Sequence, residues 1–170
     1  GGYIFNEAKS LDAFYEAVKI IKDKYSVEVF IEPGAAVARD SVSIVSSVID
    51  LFTCDEKNIA ILDTTVNHMP DTFEYNYSPT VWKDKPQGEH EYIFAGGTCL
   101  AGDVFGAYKF DEELSIGSKV LFQYVGVYNH VKSHMFNGIN LPAIYTYDKK
   151  GGLQLCKEFT YQDFVNISGG

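Results

Sequence analysis

The densest gathering of reactive and turn-forming residues in the chain is Ala95-Gly96-Gly97-Thr98-Cys99-Leu100-Ala101-Gly102-Asp103. Glycines on both sides of Cys99 permit tight backbone turns that would present its thiol and the Asp103 carboxylate into a cleft. A cysteine so placed can donate a proton or act as a nucleophile; the competing reading is a buried structural thiol, the commonest fate of a free cysteine. Glu32-Pro33-Gly34 follows a β-prone run, and a carboxylate at the C-terminal end of a barrel strand could be catalytic or hold a protonated ring nitrogen. The competing reading there is a plain strand-ending turn. Asn67-His68-Met69-Pro70-Asp71 puts a His and an Asp in one long connection, where they could meet an ammonium group or orient a substrate; a solvated loop histidine is the default. Metal binding would need further ligands, and none stand nearby in sequence. Gly1-Gly2 would let backbone N–H groups approach a phosphate, or would form an ordinary turn. Tyr128 offers a phenol to a phosphate or substrate, among many tyrosines that only pack.

These residues need elements to position them. Ser10 can cap a helix whose apolar positions Leu11, Phe14, Tyr15, Val18, Ile21 and Tyr25 share one face. Ser26 ends it, residues 27–31 read as a strand, and the whole is an α/β unit that cannot bury both faces of its strand by itself. From residue 36 the texture becomes β-rich, with runs at 42–49, 59–62, 91–94, 104–108, 119–131, 143–147 and 153–159. The last two are joined by the glycine turn of a hairpin. Residues 66–88 read as a long functional loop containing Pro70, Pro79 and Pro86, and residues 161–167 as a terminal helical turn. The expected fold is mainly β: a C-terminal β-barrel or sandwich domain, residues 36–170, preceded by an α/β piece, residues 1–35.

Composition sets outer limits. With 14 basic and 23 acidic side chains the net charge is -9, which disfavours nucleic-acid binding through phosphate neutralisation and suits a cationic partner. Aromatic residues reach 15%, again favouring pleated, half-buried surfaces. Three cysteines at wide spacings fit neither a disulfide framework nor a zinc site, and point to a reducing, cytoplasmic setting. No apolar run approaches the roughly 18 residues of a membrane span.

Taken in order, the motifs GG at 1–2, EPG at 32–34, ILDTTVNHMPD at 61–71, GGTCLAGDVFG at 96–106 and FNGINLP at 136–142 resemble the fold-type III pyridoxal-phosphate decarboxylases. The wording is most similar to the carboxynorspermidine/carboxyspermidine branch, since diaminopimelate decarboxylases carry a Glu-Ser pair where Leu100-Ala101 stand here. The resemblance runs over nearly the whole chain and implies that residues 1–35 are the last α/β unit of a cofactor-binding (β/α)8 barrel.

It also implies roles. The cofactor is pyridoxal 5'-phosphate, with Gly1, Gly2, Gly34 and Tyr128 near its phosphate and Glu32 on its ring nitrogen. Cys99 is the proton donor, acting across the interface of a homodimer with shared sites. Glu32, His68, Asp71 and Asp103 are the offered contacts for a polyamine-type substrate. Two departures stand out: Ala35 occupies a position where relatives often carry charge, and no lysine here falls in the motif that anchors the cofactor. That lysine is expected in an N-terminal barrel portion missing from this chain, which alone should be inactive. The alternatives are another decarboxylase of the family, for diaminopimelate or arginine, and a decarboxylase-like binding module without turnover.

Overall fold

Helix α1, Asp12–Tyr25, starts where the Ser10 hydroxyl oxygen accepts the Asp12 N–H at 3.1 Å. It stops where Ser26 turns left-handed at φ 51°, because a left-handed residue cannot continue the right-handed ladder. The computed structural model describes Gly2, residues 10–126 and residues 128–170. None of the α1 residues is buried, so its apolar stripe faces outward. Residues 27–31, expected as a strand, pair with no strand among the described residues, and Phe30 is 85% exposed. A strand is defined by its ladder, and among the described residues nothing supplies a neighbour for one here. After Glu32-Pro33-Gly34 the chain forms α2, Gly34–Ala38, and a 3-10 turn, Arg39–Ser41.

The mainly-β expectation holds from there on. Strands β1, Ile44–Cys54, and β2, Lys57–Leu62, form a hairpin through Asp55 and Glu56, both at positive φ (48° and 61°), which gives the turn the twist of its flanking strands. Strands β3, His90–Ala95, β4, Val104–Phe110, and β5, Lys119–Phe122, complete a five-stranded sheet in the order β4-β3-β2-β1-β5. All pairs are antiparallel except β2 with β3. A parallel pair cannot be closed by a hairpin, so residues 63–89 must cross over, and this crossover carries the His68 and Asp71 motif. The long functional loop expected here contains regular structure as well: a 3-10 turn, Val66–His68, and helix α3, Pro70–Tyr75, with proline in the first turn, where its missing N–H costs nothing.

Strand alternation builds the core. In β3, Tyr92 and Phe94 point inward; Phe94 stacks on Phe110 at 5.8 Å and meets Phe122 at 6.5 Å, while Phe105 lies 5.0 Å from Phe122. The interior is thus built on aromatic rings, Tyr92, Phe94, Phe105, Tyr108, Phe110 and Phe122, while many of the other aromatic side chains are exposed. The expected strand over 119–131 ends early at Phe122, and Tyr128–Lys132 forms helix α4 instead. The final hairpin is β6, Ile144–Asp148, with β7, Gly152–Lys157. The expected terminal turn is helix α5, Tyr161–Ile167, closed by a capping box between Thr160 and Asp163. Among the described residues no helix is long and apolar enough to cross a membrane.

Candidate functional site

Cys99 is exposed on the loop between β3 and β4, so the reading as a buried structural thiol does not hold. Cys54 and Cys156 lie in strands and are exposed as well. What holds the Cys99 loop is the neighbouring aspartate. Asp103 is 5% exposed, and both its carboxylate oxygens are occupied. Oδ1 accepts the Val66 N–H at 2.8 Å and the Thr65 hydroxyl at 3.1 Å. Oδ2 accepts the Thr98 N–H at 3.2 Å and the Thr98 hydroxyl. A Cβ at Gly96 would fall inside this carboxylate, so the approach requires glycine. Asp103 therefore ties the residue next to Cys99 to the start of the His68 turn, the geometry of a brace and not of an open contact.

His68 is 2% exposed, contrary to the solvated histidine expected of a loop. Its Nδ1 lies 2.9 Å from the Thr64 hydroxyl, and among the described residues its Nε2 has no hydrogen-bond partner. Burial pushes the imidazole down to about 4; the Asn140 backbone and the Asp103 and Asp63 carboxylates oppose this without reversing it, and His134 adds to it. The neutral ring is favoured only in the folded state, so its contribution is complete above the unfolded value near 6.5 and disappears as pH falls through the folded value. We therefore expect the complete protein to lose stability, on the order of 3 kcal/mol from this group, between pH 6.5 and 4. His68→Gln should flatten that part of the pH profile in chemical denaturation; an unchanged slope would show that His68 is not its source.

Asp71 and Tyr128 line one cleft of about 550 Å³ together with Arg39, Tyr75, Tyr77 and Tyr124. Tyr128 is 52% exposed, leaving its phenol accessible. The Arg39 guanidinium stands 5.0 Å from the Tyr124 ring centroid. Asp71 is not an isolated carboxylate: its Oδ1 lies 2.8 Å from Lys132 Nζ. Cys99 is not among the residues lining this cleft. Its neighbour Leu100 borders a smaller hollow of about 190 Å³ with Pro70, Phe73 and Phe136. Helix α3 separates the two hollows, turning Asp71 and Tyr75 to one and Pro70, Phe73 and Glu74 to the other.

The glycine and Glu-Pro-Gly motifs do come together. A Cβ on Gly2, whose φ is +104°, would lie 2.8 Å from Pro33 Cα, so only glycine fits against that backbone. Gly1 lies outside the described residues. Glu32 and Gly34 are exposed, and the segment that follows is tied toward Tyr128: the Gly126 N–H donates to the Arg39 carbonyl at 3.4 Å and the Val125 N–H to Val42 at 3.1 Å. An open carboxylate at Glu32, a glycine-lined backbone, and a phenol and a guanidinium lining one cleft (Tyr128 and Arg39) match what a pyridinium nitrogen and a phosphate require. The residues fit pyridoxal phosphate. Among the described residues no His, Cys, Asp or Glu cluster could hold a metal ion.

Sequence reasoning passed over Lys132, Asn129 and Thr98. A helical spacing from Tyr128 to Lys132 was the available signal, hidden by the β-prone residues before it.

Residues 10–126 match the family model described as pyridoxal-dependent decarboxylase, C-terminal sheet domain. The chain is 39% identical over 178 residues to a carboxynorspermidine/carboxyspermidine decarboxylase of Campylobacter jejuni, which covers 96% of this chain and 46% of that protein. It is 37% identical to a carboxyaminopropylagmatine decarboxylase of Synechocystis, over 84% of this chain and 38% of that protein. The crystal structure of a Campylobacter jejuni carboxynorspermidine decarboxylase complexed with norspermidine superposes with a TM-score of 0.79 at 38% identity, covering 94% of this chain and 48% of the other. The chain thus spans less than half the length of these relatives. On the matched strands and the placement of its motifs, it belongs to the C-terminal sheet-domain family of the pyridoxal-dependent decarboxylases.

Proposed function

We propose that this chain is the C-terminal part of an enzyme that decarboxylates carboxynorspermidine or carboxyspermidine to norspermidine or spermidine, in polyamine synthesis. The observation that carries the reading is the Cys99 loop, an exposed thiol held from beneath by the buried Asp103 carboxylate. The kinship to proteins named for these substrates at 36–39% identity supports it.

Bound pyridoxal phosphate supplies an electron sink for the bond that releases CO2. The Glu32 carboxylate keeps the proton on the ring nitrogen, which maintains that sink. Gly1, Gly2 and Gly34 let backbone approach the phosphate, and the Tyr128 hydroxyl donates to it. The Cys99 thiol returns a proton to the carbon that has lost CO2. Because Cys99 does not line the Tyr128 cleft, we place the two in sites shared between the copies of a homodimer. The lysine that anchors the cofactor would come from the part of the relatives' length that this chain does not match. Three exposed free thiols suit a reducing cytoplasm.

The test is a substrate panel on the complete protein, read as CO2 release. Carboxynorspermidine and carboxyspermidine should turn over at least about 10-fold better, by kcat/KM, than carboxyaminopropylagmatine, diaminopimelate or arginine; losing a matched polar contact costs at least that much. Preference for any of the last three reassigns the substrate. Polyamine binding without CO2 release from any of them would establish a binding module.

A further inference from the structure

The helix that presents Tyr128, α4, is only five residues long, too short to hold its shape by itself in water. Its position is imposed from α3. Asn129, 2% exposed, accepts the Asp71 N–H at 3.0 Å. One turn later, Lys132 Nζ reaches Asp71 Oδ1 at 2.8 Å, pairs with Glu74 as well, and stands 5.5 Å from the Tyr75 ring centroid. Asp71 thus grips the short helix at two points, with its backbone donor and with its carboxylate. The carboxylate end is shielded: the Asp71 side chain is only 9% exposed in this pair. Hydrogen bonds donated to the Asp71 and then the Glu74 carboxylate keep the ammonium charged above the usual lysine range. Tyr128 and Lys132 are four residues apart on one five-residue helix and share a helix face, so the grip on the ammonium bears on the helix that carries the phenol.

We infer that the Asp71–Lys132 pair is a positioning device for Tyr128, fixing its phenol for the cofactor phosphate and thereby setting cofactor affinity. The inference rests on the assignment of Tyr128 to the phosphate made above. It spends the Asp71 carboxylate on Lys132 and not on an amine of the substrate. Lys132 is then a positioning residue, acting only through Tyr128.

The experiment uses the complete protein, stripped of cofactor and titrated with pyridoxal phosphate by fluorescence, with substrate KM measured in parallel. Tyr128→Phe and Lys132→Met should each weaken cofactor binding by ~10-fold, the size of one hydrogen bond to a charged group. Lys132→Arg should restore affinity to within about 2-fold, because it keeps the charge and the reach. The double variant Tyr128→Phe/Lys132→Met should bind no more weakly than Tyr128→Phe, since Lys132 then has no phenol to position. If Lys132→Met only lowers the melting temperature of the cofactor-free protein, the pair is merely structural and the inference falls. If it raises the carboxynorspermidine KM and leaves cofactor affinity intact, the pair belongs to a substrate subsite and the inference falls equally. If Tyr128→Phe itself leaves cofactor affinity unchanged, it is the phosphate assignment of Tyr128 that fails, and the inference goes with it.

Discussion

Alanine at position 99 of the complete enzyme is expected to lower turnover by about 10²–10⁴-fold, the usual contribution of a positioned acid or base. The cofactor should bind as before, because Cys99 lies on the β3–β4 loop and does not line the cleft that holds Tyr128. The loop should also keep its shape, since the thiol is exposed and the hydrogen bonds that hold the loop belong to Asp103. Steady-state CO2 release with a cofactor absorbance spectrum separates the two effects. Turnover within about 2-fold of the natural enzyme would remove Cys99 from the chemistry. Loss of cofactor absorbance would instead make it part of the binding surface.

The second large effect is expected at Asp103. Asp103→Asn replaces one acceptor oxygen with an N–H donor, in a place where every neighbour is a donor: Val66 N–H, Thr65 hydroxyl, Thr98 N–H and Thr98 hydroxyl. Whichever way the amide turns, its NH2 meets a backbone N–H, of Val66 or Thr98, that can only donate, although a threonine hydroxyl can rotate to accept. Each group so stranded costs about 1–3 kcal/mol, so the complete protein should lose about 2–4 kcal/mol in chemical denaturation. Turnover should fall further than cofactor binding, because the residue tied down is next to Cys99 and far from the phosphate end. A change within about 0.5 kcal/mol would mean that the pocket around Asp103 relaxes freely, and the brace would be no brace.

How much of this was legible in the sequence follows the range of the forces involved. Strands β2, β3 and β4 were readable because alternation marks them locally: Tyr92 and Phe94 in, Glu91 out. The Gly-Cys-Gly loop was readable because glycine and cysteine are rare and distinctive together, as Glu-Pro-Gly is. What escaped depends on distant partners. Residues 27–31 look like a strand in isolation, but pairing and not propensity makes a strand. Tyr128–Lys132 reads as the tail of β5, and becomes a helix where Asn129 is drawn onto the Asp71 N–H, 58 positions earlier in the chain. His68 reads as a loop residue, and is buried because its turn lies among the core residues Val66 and Met69. Lys132 carries no local mark at all; its role exists only once α3 and α4 are side by side.

The mixed sheet also dictates an order of assembly. The β1–β2 hairpin closes over Asp55 and Glu56, an event on the order of 1–10 μs. Pairing β2 with the parallel β3 has to close the crossover of residues 63–89, and pairing β5 with β1 closes a longer stretch of chain still. Contacts of greater sequence separation form more slowly. The Cys99 loop lies between β3 and β4, which pair across a short stretch of chain, whereas Tyr128 follows β5, whose pairing with β1 closes a long one. On this ground the Cys99 loop is expected to form before the Tyr128 helix, so that a chain halted before β5 docks would already carry its exposed thiol.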